Sequence, residues 1–227
     1  MNEFNTLIFD WDGTLVDSVE KIVEAMQVAA DEVGLLVPAA GAVRGIIGLG
    51  LPEAIATLYP ELDDPSRAAA LKQAYSDCYI RLELTPSPMF EGVMDTLDAC
   101  RKQGFNLAVA TGKSRRGLQR ILAQHGLTDY FDATRCADET ASKPHPLMLR
   151  EILAQLDVAP EQALMVGDSE FDMHMARNAG MAGVAVSYGA QSREQLLCCD
   201  PVHCIDEFIE FHGWVMPRYG ARQTIEV

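Results

Sequence analysis

From residue 92 onward, short apolar runs alternate with stretches of helical periodicity, and this alternation constrains the fold more than any other feature. The pattern predicts helices over 92–103, 114–124, 146–156 and 170–179, and strands over 107–110, 133–136, 163–166 and 183–186. A strand at 202–205 and a helix near 207–211 close the series. Strands joined by helices pair in parallel, because each helix carries the chain back across a face of the sheet. The expected class is α/β, with a doubly wound parallel sheet.

One strand stands apart. Leu7-Ile8-Phe9 is apolar without alternation, as burial on both faces requires, and it ends at Asp10. Between it and the alternating region the signal is almost wholly helical, with Ile22, Val23, Met26, Ala29, Ala30 and Val33 at helical spacing. A Gly-rich break over 41–50 and a loop over 60–65 divide this stretch, and Thr85-Pro86-Ser87-Pro88 ends it as a linker. The expected organisation is an α/β core over 1–16 and 87–216, an inserted helical cap over 17–86, and a tail over 217–227 that lacks periodicity and is expected to lack order.

Charge narrows the partners. The chain has 18 Lys+Arg against 33 Asp+Glu, a net charge of -15. Such a surface repels nucleic-acid backbones and anionic lipid but not metal cations. No stretch of about 18 apolar residues occurs, and the first residues carry no basic leader, so a soluble cytoplasmic protein is expected. The six Cys form no C-x-x-C pair; Cys199, His203 and Cys204 have no second pair at zinc spacing, so all six read as thiols in a reducing compartment. Nothing in the pattern sets an oligomeric state.

In doubly wound folds, ligands bind beyond the carboxyl ends of the strands. Four segments place reactive groups there: Asp10, Asp12 and Gly13-Thr14; Thr111-Gly112-Lys113; Lys143-Pro144; and Gly167-Asp168-Ser169 with Asp172. Carboxylates, hydroxyls, ammonium groups and helix N-termini at one edge suit a divalent cation plus a phosphate. A hard cation takes carboxylate oxygens and offsets phosphoryl charge. One carboxylate can accept a phosphoryl group and a second can move a proton. A Thr hydroxyl and helix N-terminal amides can hold phosphoryl oxygens, and a lysine adds a point charge.

Each piece has a plainer reading. Asp12-Gly13 is a turn signal, Thr111 could cap the next helix, Ser169 and Asp172 are spaced as a capping box, and Lys143 could be a solvated loop lysine. Their common placement favours the chemical reading. Two other patterns drop out. Gly45, Gly48 and Gly50 run in reverse of the dinucleotide fingerprint with no strand before them, and Gly112-Lys113-Ser114 lacks the first glycine of a P-loop, Leu107 standing in its place.

Asp10-Trp11-Asp12-Gly13-Thr14-Leu15, Thr111-Gly112-Lys113, Lys143-Pro144 and Gly167-Asp168-Ser169-Glu170-Phe171-Asp172 resemble, in order, the four motifs of the haloacid dehalogenase superfamily. The match is nearest to its phosphoglycolate phosphatase-like members and covers about residues 5 to 210. The resemblance implies a Mg²⁺-dependent phosphatase acting on a small phosphorylated metabolite through an aspartyl-phosphate. It implies Asp10 as nucleophile and Asp12 as general acid/base. Asp10, the Asp12 backbone carbonyl and Asp168 would hold Mg²⁺, with Asp172 in support. Thr111 and Gly112 would hold phosphate, and Lys143 would pair with Asp10 and the phosphoryl group. Trp11 departs from the commoner Phe or Met. Asp12 argues against the family's dehalogenases and phosphonate-cleaving members; phosphosugar mutases keep both acids and remain the alternative. A phospho-accepting receiver protein shares the acid, Thr and Lys set, but lacks a helical insertion. The cap matches least well; its segment 44–50 is the candidate substrate loop, with Arg44 and Gly48 as candidate contacts and Arg44 suited to a carboxylate.

Overall fold

The structure, a computed structural model, describes residues 4–219. Six strands form one parallel sheet: β1 (Thr6–Phe9), β2 (Asn106–Thr111), β3 (Ala133–Cys136), β4 (Ala163–Gly167), β5 (Ala182–Val186) and β6 (His203–Ile205). Their order is β3-β2-β1-β4-β5-β6, with β1 in register between β2 and β4. The expected doubly wound sheet is therefore observed. Sequence order reverses direction on either side of β1, so the switch-point crevice opens at the carboxyl end of β1.

Why the strands read as unbroken apolar runs is visible in the core. Leu7, Phe9, Leu107, Val109, Leu164 and Val166 join one apolar cluster, while Ile8, Ala108, Ala110 and Met165 join another. Alternate residues thus serve opposite faces, and both faces are covered. α5 (Val93–Lys102), α6 (Arg115–Gln124) and α10 (Phe208–Tyr219) contribute Leu97, Leu118 and Phe211 to the first cluster; α7 (Leu147–Leu156) and α8 (Glu170–Ala179) contribute Ile152 and Met175 to the second.

The stretch after β1 folds as α1 (Val19–Glu32), α2 (Ala40–Arg44), α3 (Leu51–Leu58) and α4 (Pro65–Leu82). α1 buries Ile22, Val23, Met26, Ala29 and Ala30 of the expected stripe, Val33 standing half-buried at its C-cap, while α4 buries Leu71, Cys78 and Tyr79. The chain leaves and re-enters the sheet region side by side: Val16 bridges Met89, and Asp17 N–H donates to the Pro88 carbonyl at 2.9 Å. Glu83 at this junction is buried and accepts from Ser87 Oγ (2.6 Å) and Lys21 Nζ (3.1 Å).

Three local readings change. The Gly-rich break over 41–50 contains α2, a short helix. α9 (Arg193–Leu197), capped by Ser192 and Gln195, carried too few apolar positions to register. α10 continues to Tyr219, so the first three residues of the expected tail belong to a helix; the remainder of that tail lies outside the described residues. Among the described residues no helix is long and apolar enough to cross a membrane, and all six cysteines are free thiols.

Trp11 is fully buried against His125 and Phe131, yet its indole N–H has no partner. Its value is therefore apolar volume. Trp11→Ala should cost about 3–5 kcal/mol in urea unfolding and Trp11→Phe only about 1–2 kcal/mol. Equal losses would show that the indole N–H, not the ring volume, matters.

Candidate active site

All four motif segments arrive at the carboxyl edge of the sheet. Asp10 follows β1, and its N–H donates to the Val166 carbonyl of β4 at 2.9 Å, which locks the two strand ends together. Gly13 has φ +71°, and a Cβ there would lie 2.1 Å from Asp168 Oδ2. Only glycine supplies this turn while letting the β1 and β4 loops touch. Thr14 Oγ1 then donates to Asp168 Oδ1 at 3.1 Å.

Asp10, Asp168 and Asp172 form a buried group whose ligand oxygens lie within 4.8 Å of one another. Lys143 Nζ lies 2.9 Å from Asp10 Oδ1 and 2.7 Å from Asp172 Oδ1, and is itself buried. Asp172 Oδ2 accepts from Ser169 Oγ (2.6 Å) and Ser169 N–H (3.2 Å), so the capping box and the ion pair share one carboxylate. Asp168 Oδ2 accepts from Ala190 N–H at 2.7 Å. Asp10 differs. Lys143 is close, but neither carboxylate oxygen receives a well-directed hydrogen bond. Buried carboxylate oxygens without donors are costly unless something positive faces them. Three hard oxygen donors with open valence on Asp10 suit a hard divalent cation.

Three carboxylates against one ammonium leave excess negative charge in a buried site. Burial, reinforced by the charges of Asp172 and Asp12 and opposed by Lys143, pushes the Asp10 carboxyl up to about 7. Burial, then the charges of Asp10 and Asp172, holds Asp168 well above the usual carboxylate range. Burial alone would lower Lys143, but Asp10 and Asp172 outweigh it and hold the ammonium above its ordinary value.

Asp12 lies outside this triad. Its Oδ1 accepts from Ser18 Oγ at 2.5 Å and pairs with Lys113 Nζ at 3.0 Å. Lys113 also donates to Tyr79 Oη at 3.0 Å. Thr111 is buried, and it does not cap α6: Ser114 does, accepting from Gly117 N–H, while Thr111 Oγ1 accepts from Lys113 N–H at 3.2 Å. Thr111 Oγ1 accepts here, and no hydrogen bond to a described residue takes its hydroxyl proton.

A cavity of about 550 Å³ opens from Asp10 and Asp12, walled by residues of α3, α4, α6 and the 46–49 segment. Gly48 lines it. Cβ atoms placed on Gly112 would lie 2.7 Å from the Gly48 carbonyl oxygen and 2.5 Å from that of Leu49, so this segment seats directly on the β2–α6 turn. Gly50 N–H donates to Ser142 Oγ at 2.8 Å. The structure does not bring Arg44 to the site: it pairs with exposed Glu20 at 2.5 Å and does not line the cavity. Two contributions escaped the sequence reading. The 188–190 turn after β5 holds Asp168, and a Cβ on Gly189 would lie 2.3 Å from Asp168 Oδ2; the strand-end rule, extended to β5, would have found it. Ser18 and Tyr79, which brace Asp12 and Lys113, sit in helical contexts that carry no chemical signal.

Residues 7–186 match the model of the haloacid dehalogenase-like hydrolase family, and the chain belongs to that family. It is an enzyme of the hydrolase class that this fold and edge define. It is 34% identical to a probable phosphatase IndB of Dickeya dadantii (strain 3937), over 91% of each chain. It is 32% identical to a phosphoglycolate phosphatase of Vibrio vulnificus (strain YJ016), over 92% of this chain and 94% of the other. A predicted phosphoglycolate phosphatase from Haemophilus somnus 129pt superposes with a TM-score of 0.83 at 26% identity, over 95% of this chain and 100% of that one. A β-phosphoglucomutase from Clostridium difficile, 17% identical, shares the fold at a TM-score of 0.84 over 95% of this chain and 97% of that one.

The raised Asp10 and Asp168 carboxyls predict a sign. A carboxyl whose folded-state pKa exceeds its unfolded value costs stability as pH rises, here from about pH 4 to about pH 7. Asp168→Asn removes one charge, and its amide can still meet Thr14 and Ala190. In metal chelator this variant should melt several degrees above wild type at pH 8, the gap closing towards pH 4. Added Mg²⁺ should raise the melting temperature of wild type and not of the variant. A variant that melts below wild type at pH 8 would contradict the account of charge excess.

Proposed function

We propose that the chain is a Mg²⁺-dependent phosphatase that hydrolyses a small phosphomonoester through a phosphoryl group carried on Asp10. The observation that supports this most is Asp10 itself: a buried carboxylate, free of directed hydrogen bonds, at the strand end where the cavity begins. A carboxylate tied up by donors is a poor nucleophile, and this one is held by an ion pair alone.

Asp10, Asp168 and the Asp12 backbone carbonyl would hold the cation, with Asp172 supporting through its contacts to Lys143 and Ser169. When bound, the cation lowers the repulsion between the incoming carboxylate and the phosphoryl oxygens. The chain's own groups do the rest. Thr111 and the Gly112 N–H hold phosphoryl oxygens at the N-terminal side of α6. Lys143 neutralises charge on Asp10 and the transferring group. Asp10 Oδ bonds to phosphorus as the bond to the leaving oxygen breaks, and the Asp12 carboxyl gives that oxygen its proton. Asp12 then takes a proton from water as the water oxygen attacks phosphorus, which returns Asp10 as a free carboxylate and releases phosphate.

The four helices between β1 and α5 act in this reading as the cap. Their 46–50 segment rests on the β2–α6 turn and shelters the site from bulk water. The named relatives make phosphoglycolate the leading substrate within the class of small phosphorylated metabolites. The net charge of -15 disfavours nucleic acid as substrate and fits a cytoplasmic metabolic enzyme.

Two measurements test this. With Mg²⁺, Asp10→Asn should lose at least about 1000-fold in kcat/KM on any phosphomonoester, since an amide oxygen is a poor nucleophile; near wild-type turnover would reject the assignment. Asp12→Asn should slow an alkyl phosphate at least about tenfold more than an aryl phosphate, whose leaving group needs less protonation. Equal losses on both would leave Asp12 a structural brace for Lys113.

A further inference from the structure

The cavity has a polarity that the phosphoryl chemistry does not use. Although the chain carries a net charge of -15, four of its 18 basic residues, Lys72, Lys113, Arg116 and Arg120, line this one cavity. Three lie in one stripe. Positions 113, 116, 117 and 120 follow the i, i+3, i+4, i+7 spacing of a single helical face, running from the β2–α6 turn along α6. Gly117, with no side chain, leaves the space between the two arginines open. Arg120 lies about 10 Å along the helix from Lys113, but helical side chains lean towards the N-terminus, which here is the end at the sheet edge.

Lys113 is committed to Asp12. The side chains of Arg116 and Arg120, by contrast, form no ion pair or hydrogen bond with a described residue, and Arg120 Nε is buried without a partner. Five acids line the same cavity, and none of them pairs with Arg116 or Arg120: Asp10 and Asp12 belong to the strand-end site, Asp138 accepts from Arg115 N–H (2.8 Å), Asp77 accepts from Gln73 (2.9 Å), and Glu53 lies on α3. An unpaired guanidinium with a buried donor, facing a cavity beside a phosphoryl site, is a receptor for the paired oxygens of a carboxylate or phosphate group.

We propose that Arg116 and Arg120 of α6 form a subsite for a second anionic group, carboxylate or phosphate, on the leaving group of the substrate. The inference rests on the phosphatase reading for its context and refines the substrate class: phosphomonoesters carrying a second negative charge are preferred over neutral ones of equal length. It gives the anion-reading role assigned to Arg44 in the sequence to two residues of the sheet domain instead. The selectivity for the second charge then resides on the same rigid helix that follows the phosphate-binding turn, rather than on the inserted helices.

Phosphonates separate this from turnover, because their P–C bond is not hydrolysed. Calorimetry with Mg²⁺ present would compare propylphosphonate with its ω-carboxy and ω-phosphono derivatives. Wild type should bind one or both derivatives about 10- to 100-fold more tightly than the neutral compound, as charged hydrogen bonds allow. The derivative with the larger gain identifies the group. Arg116→Gln with Arg120→Gln should shrink that preference to within about threefold, and the paired lysine substitutions should keep part of it. No preference in wild type, or a preference that survives the double glutamine variant, would overturn the proposal. Failure of wild type to hydrolyse p-nitrophenyl phosphate would instead overturn the phosphatase reading, and leaves the affinity comparison intact.

Discussion

The site depends on one buried ammonium. Lys143 sits between Asp10 and Asp172 at 2.9 and 2.7 Å, and it is the nearest positive charge to three buried carboxylates. Without it the strand ends at the switch point would bury three like charges, which a protein interior does not tolerate. With it, two carboxylates are partly offset and an excess remains. Burial, reinforced by that excess, pushes the Asp10 carboxyl up to about 7, and on the proposed function the same excess suits the site to a cation. A bound cation would relieve this electrostatic imbalance.

Around this imbalance the fold supplies rigidity. Asp168 is held from two sides, by Thr14 and by Ala190, and Asp172 by Ser169. Each of these donors comes from a segment that immediately follows a strand, so sheet register fixes them relative to one another. Glycines at 13 and 189 let the loops approach to distances that any side chain would forbid. Precision of the first carboxylates is thus inherited from the parallel sheet, and the inserted helices add a wall and a mouth.

Much of this was legible in the sequence. Strand positions, sheet class and the common edge of Asp10, Thr111, Lys143 and Asp168 follow from apolar runs and from what stands after each. Those signals are local, and the sheet turns them into proximity. The capping box at Ser169 and Asp172 was also local, and it coexists with the ion pair to Lys143. What was not legible depended on tertiary placement. Arg44 stands in a Gly-rich segment that does reach the site, yet its side chain leaves on the far side of a short helix towards Glu20. Thr111 has the side chain of a helix cap, but Ser114, three residues on, takes that place. The stripe of Arg116 and Arg120 reads in sequence as an ordinary solvated helix face; only the facing α4 shows that it borders a cavity.

On the proposed mechanism Asp10 carries the phosphoryl group. Rapid acid quench during turnover with Mg²⁺, followed by peptide mass spectrometry, tests it most directly. The account predicts that the peptide spanning β1 gains the mass of one phosphoryl group, that fragmentation places it on Asp10, and that prolonged incubation after substrate is exhausted removes it. Sustained turnover with no such adduct, or an adduct on another residue, would contradict it.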